Sequence, residues 1–207
     1  MENPKKIIPE QQTGTAVDVE DNVECSNEEE AKNFFQQVKE RLLNINAWHQ
    51  YAGTLSADFR LTDGDGNEVN RKPQKGDYFK INLPAPGIKT GEGFDWVQIE
   101  EIMESSDESI AIRVRPASSP INNRKDVAHF YTDEATSNFI VKREGNKVTA
   151  GVYGRNEKPN VKETDSLLDK ARNAVVGTGG ISGFSKLQWK ALVNGLLNTP
   201  CPPKGGT

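Results

Sequence analysis

The spacing of apolar residues divides the chain into a strand, a helical region, a run of strands and a closing helical region. Between Thr15 and Cys25, valines alternate with acidic residues, which predicts a half-exposed strand. Ser26 and the glutamates that follow predict a helix start, because serine can cap the first turn and acidic groups suit the positive end of the helix dipole. Apolar residues at helical spacing then predict one buried stripe that ends near Gly53: Ala31, Phe34, Phe35, Val38, Leu42, Ile45 and Trp48.

Beyond Gly53 the apolar residues alternate with polar ones, a period of two that is typical of strands. This alternation predicts strands at residues 57–61, 77–83, 94–103, 110–115, 127–131, 138–143 and 147–153. Because no helical stretch separates them, we expect the pairing to be mostly antiparallel.

The chain returns to helical spacing at residues 167–175, and a glycine-rich cluster at 177–180 breaks that pattern. Ser185 predicts the cap of a final helix, in which seven of the eleven positions from Leu187 to Leu197 are apolar. More than one face of this helix is therefore covered, and the predicted sheet is the only large surface that can cover it. An open sheet of this many strands twists and curls, so one helix across its concave side is expected to leave a cavity.

The order of these elements resembles the START-like superfamily, also called SRPBCC. The helix from Ser26 that runs into Asn46–Ala47–Trp48–His49, and the apolar helix around Trp189, carry the resemblance over residues 15–198. The superfamily has the helix-grip fold and includes lipid-transfer domains, plant pollen-allergen proteins and polyketide cyclases. The resemblance implies an α+β fold, in which a curved antiparallel sheet of about seven strands wraps around a long C-terminal helix. The segments 177–180 and 116–126 have no counterpart in the family pattern.

Composition and charge exclude several classes of protein. Hydrophobic residues make up 34% of the 207 residues, and 26 basic residues against 30 acidic ones give a net charge of −4. This balance permits a folded core, excludes a chain kept disordered by its own charge and disfavours a nucleic-acid partner. No apolar run approaches the roughly 20 residues that span a bilayer, and none has the pattern of a secretory signal. We therefore expect no transmembrane segment and a cytoplasmic location.

The polar ends of the chain, residues 1–14 and 200–207, are expected to be flexible tails around a single START-like domain at residues 15–199. Two cysteines, Cys25 and Cys201, are too few for a disulfide framework or a four-cysteine zinc site. Cys201 lies in the predicted tail and is expected to have no chemical role.

The run of acidic residues after the second strand has part of a calcium-loop pattern. Asp63, Asp65 and Asn67 have the spacing of calcium ligands, but Glu68 stands where that loop needs glycine and Gln74 where it needs a bidentate glutamate. A hairpin turn is therefore favoured, and we expect no metal and no cofactor.

His129 is the strongest candidate for a functional polar residue. It shares strand parity with Val127 and Tyr131, which predicts that its imidazole faces the cavity, where it can donate a hydrogen bond or carry a proton. A core histidine satisfied by a neighbour is the structural alternative, and a solvent-facing one follows if the parity is reversed. Arg113 and Arg115 have the opposite parity to their apolar neighbours and are expected on the wet convex face.

Most residues expected to line the ligand cavity are aromatic or aliphatic and come from the sheet and the last helix: Phe59, Phe79, Ile112, His129, Tyr131, Trp189 and Leu192. The aromatic ones are equally consistent with ordinary core packing. No Ser/His/Asp or Cys/His set can be assembled, so no catalytic residue is assigned.

The predicted fold favours binding of a hydrophobic small molecule or lipid between the sheet and the C-terminal helix, without catalysis. The alternative is a cyclase or hydrolase that uses the same cavity, with His129 as acid–base group and Tyr131 or Arg155 polarising a carbonyl. A protein-interaction module with exposed strand edges is a further alternative. The sequence leaves the ligand and the oligomeric state open.

Overall fold

The described part of the chain forms one antiparallel sheet and three α-helices. A computed structural model describes residues 3–53, 57–83, 91–105, 108–160, 181–199 and 201. The strands are β1 (Thr15–Glu24), β2 (Asp58–Thr62), β3 (Tyr78–Asn82), β4 (Asp95–Ser105), β5 (Ser109–Pro116), β6 (Thr136–Glu144) and β7 (Lys147–Glu157). The helices are α1 (Glu28–Leu43), α2 (Trp48–Ala52) and α3 (Ile181–Leu197), with short 3-10 helices at Pro4–Ile7 and Ile45–Ala47.

The strand order is β1-β7-β6-β5-β4-β3-β2. The chain enters at one edge, crosses to the other edge through α1 and α2, and returns strand by strand until β7 pairs with β1. All three helices pack on the concave face, where α3 contacts β1 and β7. The predicted fold class is therefore confirmed: an α+β protein with a curved antiparallel sheet around a C-terminal helix. Among the described helices, none is both long and apolar enough to cross a membrane.

The core lies between the concave face and the helices. On each strand, alternate residues face inward, so that Phe79, Ile112 and Phe139 are at most 1% exposed. The predicted stripe of α1 is buried against them, as is Trp48. The helix cap differs by one residue from the prediction, because Asn27 accepts the backbone N–H of Glu30 at 3.0 Å in place of Ser26.

The prediction of a strand at residues 127–131 is wrong. This segment belongs to the connection between β5 and β6, and its backbone bonds to several different segments instead of forming a ladder. Ala128 bonds Ala117 and Trp96, while Asn160 donates from its backbone to Phe130. Period-two alternation cannot distinguish such a loop from a strand, because it reports only which side chains are buried. Ser185 was also misplaced as a cap, since α3 already begins at Ile181, and the predicted helix at 167–175 lies outside the described residues.

The N-terminal segment packs on the convex face of the sheet. Ile7 is 1% exposed and contacts a small apolar cluster with Ala111, Ile140 and Tyr153. Arg113 on the same face donates to the carbonyl of Ile7 at 2.9 Å. Such contacts were not expected for residues within the predicted tail, whose sequence offers only two large apolar side chains.

A disulfide joins Cys25, between β1 and α1, to Cys201 beyond the end of α3. The sequence assigned no role to Cys201. The two residues are 176 positions apart, and only the path of α3 across the sheet returns the end of the chain to the β1–α1 corner. Spacing along the sequence carries no signal of this pairing.

Candidate ligand-binding site

Five aromatic side chains meet in the concave face between α2 and α3. The ring of Trp48 lies 4.9–5.5 Å from the rings of its three phenylalanine neighbours, and the ring of Trp189 on α3 closes the group at 5.3 Å from Phe139. The cluster comprises Trp48, Phe59, Phe79, Phe139 and Trp189. Trp189 is only partly buried, so it is the member of this cluster that retains an accessible face.

The predicted lining residues divide into two groups. Phe59, Phe79, Ile112 and Leu192 are at most 3% exposed and pack into the same core. Their role toward a ligand stays a prediction, since each is already in contact with protein. Of the other three, Trp189 is part of α3, Tyr131 contacts Ser185 of α3, and His129 packs beside Tyr131.

A polar cluster occupies the end of β7 beneath α3. Glu157 is 3% exposed, and its carboxyl group is hydrogen-bonded to the phenol of Tyr131. The Tyr131 oxygen lies 3.4 Å from Oγ of Ser185 on α3. Either hydroxyl can donate in this contact, so Glu157, Tyr131 and Ser185 form one continuous hydrogen-bonded chain. Glu157 Oε2 has no hydrogen-bond partner in the described part of the chain.

Gly154 makes room for this carboxyl group. It shares parity with the inward-facing Val152 on β7, and a Cβ atom built at Gly154 would lie 2.1 Å from Glu157 Oε1. Between them, Asn156 has a positive φ of 56°. Its side-chain oxygen accepts the backbone N–H groups of Gln12 and Thr13 at 2.7 and 3.1 Å, which holds this turn of the backbone. The N-terminal segment on the convex face thus helps to position Glu157 on the concave one.

Burial raises the pKa of Glu157 to about 7, against the opposing effects of the Tyr131 hydrogen bond and the charge of Arg155. Arg155 itself forms an ion pair with Asp18 on β1. Within the described ranges the carboxyl group therefore has no countercharge of its own, and near neutral pH it exists in both protonation states.

Burial shifts the pKa of His129 in the opposite direction from that of Glu157. Burial lowers the pKa of its imidazole to about 3, so the ring is neutral. Nδ1 accepts the backbone N–H of Tyr131 at 3.0 Å, and the ring stacks on Phe130 at 4.2 Å. The expected placement on a strand is wrong, and the imidazole orients the Tyr131 backbone. Asn160 fastens the same loop by donating to the carbonyls of Val127 and His129.

Ser185 of the polar cluster and Trp189 of the aromatic cluster lie on the same side of α3. Ser185 and Trp189 are four residues apart, which places them about one helical turn from each other on the same face. Gln188 beside them accepts the backbone N–H of Ala57 at 3.1 Å and so ties α3 to the start of β2. The arrangement presents hydrogen-bonding groups next to an apolar ring, as a site for an amphipathic small molecule requires.

Sequence reasoning missed Glu157 and Ser185. Glu157 follows the predicted end of the last strand, and only the extension of β7 brings it beneath α3. Ser185 was interpreted as a cap. The sequence carries no distinct signal for Glu157, because it stands among the polar residues Arg155, Asn156 and Lys158.

The other candidates for chemistry are accounted for by structure. Arg113 and Arg115 lie on the convex face and share Glu100 in ion pairs of 2.9 and 2.5 Å. Asp63 accepts the backbone N–H groups of Asp65 and Asn67, as in the predicted turn. No group of three potential metal ligands occurs within the described ranges.

Comparison with known proteins supports the fold. The sequence matches no protein-family model and no curated protein. A hypothetical protein from Helicobacter pylori, jhp0584, has a similar structure with a TM-score of 0.51 and 16% identity, over 93% of this chain and 94% of that one. TTHA0849 from Thermus thermophilus reaches 0.43 with 10% identity, over 88% and 94% of the two chains. Norcoclaurine synthase from Thalictrum flavum, solved with dopamine and hydroxybenzaldehyde, reaches 0.37 with 8% identity, over 85% and 86%.

At these identities the first similarity shows a shared fold alone, and the other two are too distant to support an argument. The fold and the site together define a class: an α+β protein of helix-grip architecture with a buried polar cluster beside an aromatic one. Membership of the START-like superfamily stays a prediction.

Proposed function

We propose that this protein binds a hydrophobic small molecule or lipid between the curved sheet and α3. The observation that carries the proposal is the buried cluster of Glu157, Tyr131 and Ser185, one helical turn from the accessible ring of Trp189. The apolar part of a ligand would lie against Trp189, and its polar end would reach the cluster.

Burial of the Glu157 carboxyl group lowers the stability of the fold when no partner compensates for the lost hydration. Taking an ionisable group out of water costs several kcal/mol unless a partner compensates it, and Glu157 has a phenol on one side only. Strongly perturbed groups of this kind concentrate at functional sites. The presence of the carboxyl group at this buried position therefore supports a ligand-binding role.

Native mass spectrometry of the purified protein tests the proposal, followed by titration of any released molecule against the stripped protein. Trp189→Ala should weaken binding by about tenfold, since an aromatic contact of this size contributes on the order of 1–2 kcal/mol. Leu187→Ala is the matched control, because Leu187 lies on the same helix and is 54% exposed. Equal affinity of the two variants would exclude the proposed site.

Acid–base catalysis in the same site is a second candidate function. It is favoured by the pKa of Glu157, which burial brings to about 7, near the operating pH at which a general acid or base works best. Glu157 would then take the role that the sequence offered to His129, whose lowered pKa leaves it a poor proton carrier. Glu157→Gln should abolish turnover of a bound substrate while the molecule still binds.

The disulfide between Cys25 and Cys201 is evidence about the cellular compartment of the protein. Disulfides persist in oxidising compartments and are rare in the cytoplasm. We therefore propose an oxidising compartment in preference to the predicted cytoplasmic location. Reaction of the cellular protein with a thiol-alkylating reagent before and after reduction tests this: alkylation of both cysteines without reduction would contradict it.

A further inference from the structure

We infer that the ligand of this site carries a basic amine, whose N–H group binds the free oxygen Oε2 of Glu157. This inference rests on the proposed function and adds the chemical class of the ligand. The proposed function leaves the chemistry of the ligand's polar end open, and the present inference specifies it.

The first step of the argument is the unequal use of the two carboxyl oxygens. Glu157 accepts a hydrogen bond from Tyr131, yet Oε2 is buried and has no donor among the residues that the structure describes. A buried acceptor without a donor costs about 1–3 kcal/mol, and more when the group is charged. A ligand N–H group would remove this cost.

The second step concerns charge. Arg155 is the cation whose charge favours ionised Glu157, and it is engaged by Asp18 on the neighbouring strand. Among the residues that the structure describes, the buried carboxylate therefore has no dedicated positive partner. An ammonium group supplies both the missing charge and the missing donor, whereas an alcohol supplies only the donor and a carboxylate would repel Glu157.

The third step is the position of the apolar part. Because Ser185 and Trp189 are about one turn apart on α3, a ligand whose nitrogen contacts Glu157 can place its carbon skeleton against the Trp189 ring. The site thus fits an amphipathic amine.

Three probes with the same chain and different head groups test the inference: decylamine, decanol and decanoate, titrated by calorimetry at pH 8. We expect decylamine to bind at least about tenfold more tightly than decanol, as a charge-assisted hydrogen bond in a buried site implies. Glu157→Gln should bring the two affinities within about twofold of each other. Glu144→Gln is the matched control, since it removes the same charge from an exposed turn and should preserve the preference.

Gly154→Ala gives a second variant, because its added methyl group displaces the Glu157 carboxyl without removing it. It should also reduce the preference for decylamine. Equal binding of all three probes to the wild-type protein, or a preference that survives Glu157→Gln, would overturn the inference and leave the proposed function intact. Failure of every probe, together with no molecule in native mass spectra, would overturn both.

Discussion

The carboxyl group of Glu157 occupies the space that a side chain at Gly154 would need, with 2.1 Å between Oε1 and the Cβ position. At Gly14 the equivalent obstacle is the backbone carbonyl oxygen of Glu157, at 2.5 Å, and φ is +62°. The two glycines approach the same residue, one through its flexible side chain and the other through its main chain.

This difference predicts unequal costs for two alanine substitutions. Gly154→Ala should lower the free energy of unfolding by less than about 1 kcal/mol, because the carboxyl group can move aside. Gly14→Ala should cost about 1–3 kcal/mol, because neither the backbone of Glu157 nor a left-handed alanine can relax. Urea unfolding of both variants measures the two values, and equal costs would show that the carboxyl is held as rigidly as the main chain.

The buried imidazole of His129 should make the protein sensitive to acid. Its pKa is about 3 in the folded state and 6.5 in a model peptide, so the unfolded chain binds the proton first as the pH falls. The stabilisation is complete above pH 6.5 and declines toward pH 3 by about 1.4 kcal/mol per pH unit. His129→Asn, which retains an acceptor for the Tyr131 backbone, should flatten this part of the stability profile. An unchanged slope would mean that His129 is already protonated in the fold.

Glu157 should have the opposite effect on stability. Burial raises its pKa from 4.5 to about 7, so the folded state holds its proton longer than the unfolded chain. The contribution of the neutral acid is complete below pH 4.5 and is lost as the pH rises through 7, by roughly 3 kcal/mol. Glu157→Gln should therefore be more stable than the wild-type protein at pH 8 and similar to it at pH 4. Chemical unfolding at both pH values tests this, and greater loss at pH 8 than at pH 4 would contradict it.

The disulfide should stabilise the closing helix. Reduction, or the variant Cys201→Ser, releases a loop of 176 residues and should lower the free energy of unfolding by about 2–5 kcal/mol. Thiol titration of the denatured, unreduced protein should find no free thiol. A Cys201→Ser variant as stable as the wild-type protein would show that α3 is held by its apolar contacts alone.

The elements with strong local signals were predicted correctly. The alternation of Phe79 and Ile81, and the helical stripe of Phe34 and Val38, each bury one face in the observed core. Periodicity predicts such elements because burial on one side of a strand or helix must repeat with its geometry. The same reasoning placed residues 127–131 on a strand, because a loop that buries alternate side chains gives an identical pattern.

The pattern of residues along the chain was enough to predict the order and burial of the elements, and through them the α+β class and the aromatic core. The folded chain was needed to show which distant residues meet: Cys25 with Cys201, and Glu157 with Tyr131 and Ser185. These contacts depend on the curvature of the sheet and the path of α3, and both result from many weak interactions along the whole chain. Local residue spacing carries no information about them. A site built from three separate segments can therefore be recognised only in the folded structure.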